Sequence, residues 1–172
     1  MNDILAKIDT ILDDYFKNDK RVLEEESESM CVPIESGGVH FLSFSFDKKL
    51  NSEDYPNGLF PFFSKEKKAR SMCDYIIFSG KERGLYVLLI ELKAGGNSVM
   101  NQLKAGKALV DFIVATLNRV YDIRITPTVR LVAIRNSHIT NKRPTKIRAV
   151  EYDENGFYTF EGGRFFLREF LK

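Results

Sequence analysis

Three residues in the middle of the chain have the types and spacing that hydrolytic chemistry uses: Asp74, Glu91 and Lys93. Asp74 opens a very apolar run, CDYIIF. Glu91 and Lys93 close a second, LYVLLIELK, after the turn-like SGKERG. Two positions apart on a strand, Glu91 and Lys93 share a face, while Leu92 points into the opposite layer. If the loop spans Ser79 to Gly84, Phe78 lies opposite Leu85, and Asp74 pairs with Leu89, beside Glu91 on the same face. A slip of two residues keeps parity and sets Asp74 directly opposite Glu91. Either register gathers two carboxylates and one ammonium at the end of an apolar hairpin.

Such a cluster is costly to bury. A charge taken from water costs several kcal/mol even after relaxation, unless it is paired or bound to a metal. Two adjacent carboxylates repel, and one tends to keep its proton. A divalent cation removes that conflict, because one or two carboxylates plus waters is the usual way proteins hold Mg²⁺. The lysine on the same face can then orient a water and stabilise developing negative charge. The set fits metal-dependent phosphodiester hydrolysis. A plain salt bridge at the sheet edge, Glu91–Lys93 or Asp74–Lys93, is the structural alternative.

The elements that position these residues can be read from periodicity. Ile4, Leu5, Ile8, Ile11, Leu12, Tyr15 and Phe16 predict an amphipathic helix over residues 3–17, with Val22 and Leu23 as a further extension. MCVPI and VHFLSFSF read as a hairpin about Ser36-Gly37-Gly38, with Leu42, Phe44 and Phe46 on one face. Residues 47–70 are irregular, broken by Pro56-Asn57-Gly58 and Pro61; Tyr55, Phe60, Phe62 and Phe63 read as a loop plugged onto the core. The runs at 74–78 and 85–93, apolar on both faces, suit central strands covered on each side.

A long helix follows, capped at Asn97 or Ser98 and running to about Asn118. Its half from Ala108 to Leu117 reads as buried nearly all round, and Gly106 as a point of close backbone packing. Next come a strand over Thr128–Arg135 and a hairpin of Lys146–Tyr152 with Phe157–Phe160 about Asp153-Glu154-Asn155-Gly156. A short helix is expected within Arg164–Leu171. The order is mixed α/β.

Asp74 opening one strand, Glu91-Leu92-Lys93 ending the next, a helix with Asn101-Gln102-Leu103 near its start, and one more strand together resemble the PD-(D/E)XK nuclease superfamily. The likeness covers about Met72 to Arg135, with Cys73 in place of the proline that gives the motif its first letter. It implies a restriction-endonuclease-like core: a central mixed β-sheet flanked by α-helices, built as a helix, three antiparallel strands, a helix and a fourth strand. It further implies Mg²⁺ or Mn²⁺ held by Asp74, Glu91 and the Leu92 carbonyl, with Lys93 positioning water and Gln102 supporting the site. The substrate implied is DNA ahead of RNA, and the setting a defence against phage or mobile DNA. Family members also form homodimers or act with a partner protein. A first-helix acid often joins such sites; Glu24, Glu25, Glu26 and Glu35 are the candidates here. The alternative function is a nuclease-like domain that only binds nucleic acid or a protein.

The chain's 172 residues suit one domain spanning 1–172, and 44% hydrophobic with 29% charged residues is a globular balance. A net charge of +2 hides an asymmetry. Acids dominate from Asp3 to Glu28. Bases dominate from Arg119 to Arg148, through Arg124, Arg130, Arg135, Lys142, Arg143 and Lys146. With Lys65, Lys67, Lys68 and Arg70 they form the candidate phosphate-holding patches. Cys31 and Cys73 lack metal-ligand spacing and read as buried small apolar residues, which favours a reducing cytoplasm. No membrane span is expected, since no apolar run approaches about 20 residues. His40 and His138 stand alone, and no Walker or dinucleotide glycine loop or serine nucleophile elbow is present.

Overall fold

The computed structural model describes residues 2–46, 60, 63, 69–81, 84–93, 99–135 and 150–172, with Asn2 and Lys81 by backbone alone. The first helix, α1 (Asn2–Ile11), is shorter than its apolar period suggests. It stops because Asp13 turns its carboxylate onto the Tyr15 N–H, at 2.8 Å, and caps a separate 3-10 turn, Asp14–Phe16. Phe16 is still buried, in that turn instead of the helix.

Val22 and Leu23 do not extend the helix. They begin strand β1 (Val22–Glu25), which pairs antiparallel with β2 (Met30–Glu35) through Glu25 opposite Met30. The glycines after β2 also do something other than close a hairpin. Val39 N–H reaches the Ser36 carbonyl at 3.3 Å across Gly37 and Gly38, both at positive φ. That turn carries the chain out of one sheet and into another, where β3 (Phe41–Phe44) lies. The parity of β3 is as expected: Phe44 and Phe46 are buried, with Leu42 packed on the same side.

The larger sheet has the order β3-β4-β5-β6-β7, with β4 (Tyr75–Lys81), β5 (Gly84–Leu92), β6 (Thr128–Arg135) and β7 (Phe157–Glu161). β3, β4 and β5 run antiparallel; β6 is parallel to β5 and β7 parallel to β6. The β5–β6 crossover contains α2 (Val99–Tyr121), as a parallel connection requires. Asp153-Glu154-Asn155-Gly156 is a turn as expected, with Asp153 Oδ1 accepting from Asn155 and Phe157 N–H and Gly156 at φ 72°. β7 pairs with β6, however, and no strand is assigned at 150–152. The chain then adds β8 (Phe165–Phe166) parallel to β2, followed by the single turn α3 (Leu167–Phe170).

Both faces of the central sheet are covered, but differently. Ile76, Phe78, Val87, Leu89, Leu131 and Ala133 face α1 and α2. Tyr75, Ile77, Leu88, Ile90, Leu92, Val132 and Ile134 face the β1-β2-β8 sheet and α3. The protein is therefore mixed α/β, with helices over one face and mainly a small sheet over the other. α2 buries Val99, Leu103, Gly106, Val110, Ile113, Val114 and Leu117, one stripe at helical spacing. Its second half is not buried all round: Phe112 is 69% exposed and Val120 50%. Among the described residues no helix is long and apolar enough to cross a membrane.

Candidate active site

The site is built by register. Tyr75 lies opposite Ile90 and Lys81 opposite Gly84, so the hairpin is two residues off the alignment that a loop from Ser79 would set. One step beyond Tyr75 and Ile90, the same register places Asp74 opposite Glu91. The alternation of both strands turns the two carboxylates to the helix-covered face, in line with Ile76 and Leu89. Asp74 is 6% exposed and Glu91 1%. The Leu92 N–H donates to Asp74 Oδ2 at 2.6 Å, which fixes the aspartate against the end of β5. Leu92 itself is buried in the opposite core.

Lys93 follows the strand. Its N–H donates to the Ile134 carbonyl at 2.9 Å, extending the β5–β6 ladder by one rung. Parity gives Lys93 the face of Glu91, and it is half-buried where Glu91 is enclosed. The order outward is thus two buried carboxylates, then a partly exposed ammonium.

α2 is seated on this face through Gly106. A Cβ at that position would collide with Cys73 Sγ and come within 3.3 Å of Leu89 Cδ2. The close approach expected at Gly106 is therefore real, and its partner is the residue before Asp74. α2 runs against β5, so one helical turn back from Gly106, about 5.4 Å, matches two strand residues forward from Leu89, about 6.6 Å. That arithmetic sets Gln102, half-buried in the first turns of α2, level with Glu91. Register thus gathers Asp74, Glu91 and Lys93 at one end of the sheet, and Gln102 lies one turn before Gly106 on the helix that covers that face.

The further acid candidates do not join it. Glu24 lies on β1, where its N–H and carbonyl both bond the Tyr75 hydroxyl at 2.9 Å. Tyr75 faces the other core, so β1 and its Glu24 and Glu25 are across the sheet from Asp74, and Glu26 follows in the turn. Glu35 pairs with Arg164 at 3.4 Å beside β8. None of these acids is on a helix. Among the described residues no three His, Cys, Asp or Glu side chains come together. The available donors are two carboxylate side chains and backbone carbonyl oxygen, a hard oxygen set that suits Mg²⁺ or Mn²⁺.

The basic run is also divided. Arg119 and Arg124 lie where α2 leads into β6, and Arg135 at the far end of that strand. Thr128 and Arg135 alone are about 23 Å apart along it. Arg130 points to the opposite face, where Nε and a terminal guanidinium nitrogen donate to the Lys172 carbonyl at 2.8 and 2.6 Å, over the Tyr152 ring. It therefore braces the fold. Arg70 donates to the Phe63 carbonyl; Phe60 packs on the core as expected, whereas Phe63 is exposed. Lys65, Lys67, Lys68, Lys142, Arg143, Lys146, Arg148, Tyr55, Phe62, His138 and the cap residues Asn97 and Ser98 lie outside the described residues.

His40 is at the far end of the sheet from Asp74; its carbonyl accepts from Ser79 Oγ at 2.9 Å. Cys73 is buried, but Cys31 is exposed, because it falls on the outward side of β2 between Met30 and Val32. One neighbour went unnoticed in the sequence. Ala133 pairs with Glu91 and Thr159 with Ala133, so the carboxylate row continues into β7. Comparison of the chain with family models, curated proteins and solved structures returns no match.

Proposed function

We propose that this chain is a metal-dependent nuclease of the PD-(D/E)XK type, hydrolysing phosphodiester bonds of nucleic acid, with DNA ahead of RNA as the candidate substrate. The observation that carries the reading is the opposed pair Asp74 and Glu91, buried at 6% and 1% exposure, with Lys93 on their face. Burying two like charges side by side is unfavourable unless a proton or cation is shared between them. The element order helix, three antiparallel strands, helix, parallel strand supports the restriction-endonuclease-like assignment, with β1 and β2 inserted after the first helix.

In this reading Asp74, Glu91 and the Leu92 carbonyl hold Mg²⁺ or Mn²⁺. When bound, the cation supplies Lewis-acid polarisation of the phosphodiester and a more acidic water. Lys93 orients the attacking water and stabilises the charge that grows on the non-bridging oxygens. The Gln102 amide adds a hydrogen bond that holds water or phosphate in place. The water gives up a proton to solvent as its oxygen bonds to phosphorus and the bond to the leaving sugar oxygen breaks, and that oxygen takes up a proton from solvent. The Leu92 amide keeps Asp74 in position while this happens.

The test is cleavage of mixed DNA and RNA substrates with Mg²⁺ or Mn²⁺ by the wild type, Glu91→Ala and Lys93→Ala. Each substitution is expected to lower the rate roughly a hundredfold or more. Cleavage indifferent to both would sink the proposal. Salt-sensitive binding without turnover would instead favour the domain that only binds.

A further inference from the structure

Two rows of side chains cross the helix-covered face of the large sheet at the carboxyl ends of β5 and β6. The inner row is Asp74, Glu91, Ala133 and Thr159; the outer row, two residues further on, is Lys93, Arg135 and Glu161. From this juxtaposition we infer that Arg135 holds a phosphate of the nucleic-acid backbone adjacent to the one at Asp74, Glu91 and Lys93. The inference rests on the nuclease reading above and assigns Arg135 the task of fixing the substrate strand.

Three features support it. First, Arg135 has the parity of Leu131 and Ala133, hence the face of Glu91, whereas Arg130 has the opposite parity and braces Lys172. Second, Arg135 is exposed, and its neighbour on the same strand face, in the row of Glu91, is the small, buried Ala133. Diagonal neighbours on adjacent strands are about 7–8 Å apart, within reach of a long side chain.

Third, Lys93 and Arg135 are side by side across the parallel ladder. Like charges in that position are unfavourable. Among the described residues no ion pair engages either one. An anion lying over both relieves the repulsion, and a planar guanidinium suits a phosphate's paired oxygens. Glu161, in register with Arg135 on β7, works against the same anion.

The experiment uses a fluorescein-labelled mixed-sequence DNA, as single strand and as duplex, and measures cleavage and anisotropy over a salt series. Arg135→Ala should raise KM and Kd roughly tenfold, with the loss falling on KM and not kcat. It should also reduce the salt slope by about one. Arg135→Lys should recover part of the affinity. Glu161→Gln should tighten binding, a change of opposite sign that poor folding cannot produce. If the wild type cleaves and Arg135→Ala matches its KM and salt slope, the inference is overturned while the nuclease reading stands. If the wild type binds without cleaving and Arg135→Ala weakens that binding, the phosphate contact stands and the nuclease reading is lost. A wild type that neither binds nor cleaves overturns both.

Discussion

Asp74 and Tyr75 are neighbours in the chain, yet they serve opposite faces of the central sheet. On the helix-covered face, Asp74 and Glu91 bring two carboxylates together at one end of the inner strands β4 and β5. On the other face, the polar groups are fastenings. The Tyr75 hydroxyl clasps the Glu24 backbone, the Tyr152 hydroxyl donates to the Phe170 carbonyl at 2.7 Å, and Arg130 holds Lys172. The same strands thus carry two neighbouring buried carboxylates on one side and hydrogen bonds that tie side chains to backbone on the other.

The sharpest way to break this contrast is to add a divalent cation. Mn²⁺ at a hundredfold excess over its Kd should stabilise the wild type by about 2.7 kcal/mol. For a domain of this size that is a rise of roughly 5–10 °C in Tm. Glu91→Ala should lose most of that rise, and Tyr75→Phe should keep it. Equal cation responses in all three proteins would remove the distinction between the faces.

Gly106→Ala addresses how the helix-covered face is held. The new methyl meets Cys73 Sγ and Leu89, and overpacking of this kind costs about 1–3 kcal/mol, against up to about 1 kcal/mol gained in helix propensity. Adding Cys73→Ala should recover most of the loss, and a denaturant double-mutant cycle reads the coupling. On the fastened face, Tyr75→Phe removes one donated and one accepted hydrogen bond, for an expected cost of about 1–2 kcal/mol. Its cleavage rate should stay at the wild-type level.

The smallest expected effect is with pH. Burial raises the Tyr75 hydroxyl above its usual 10.0, more than its bond to Glu24 lowers it. Burial likewise raises Tyr152, against the lowering influence of Arg130. Above about pH 10 the unfolded chain has lost these protons while the folded chain keeps them. The folded state then binds more protons, so stability falls as pH rises through that value toward the raised folded ones. Tyr75→Phe and Tyr152→Phe should each flatten the fall in Tm between about pH 9 and about pH 11.

Much of the site was legible because alternation along a strand is local. Covalent geometry alone puts Glu91 and Lys93 on one face and Leu92 on the other. Gly106 likewise stood out as a flaw in an otherwise good helix. Arg130 departs from the rest of the basic run because sequence proximity says nothing about which end or face of a sheet a residue reaches. Arg130 and Arg135 are five apart, and the fold gives one to the C-terminal residue and the other to the site's edge.

The second sheet misled for a related reason. Val22 and Leu23 have no local feature that decides between helix and strand. Pairing with β2, forty or more residues before Tyr75 comes to clasp Glu24, settles it. Periodicity thus determined that Asp74, Glu91 and Lys93 share a side. Only the tertiary structure decided that Asp74 faces Glu91 and not Leu89, since β4 runs on to Lys81 and the hairpin shifts by two residues. Parity is a property of one strand, whereas register is fixed by the turn and by the cores packed on both faces.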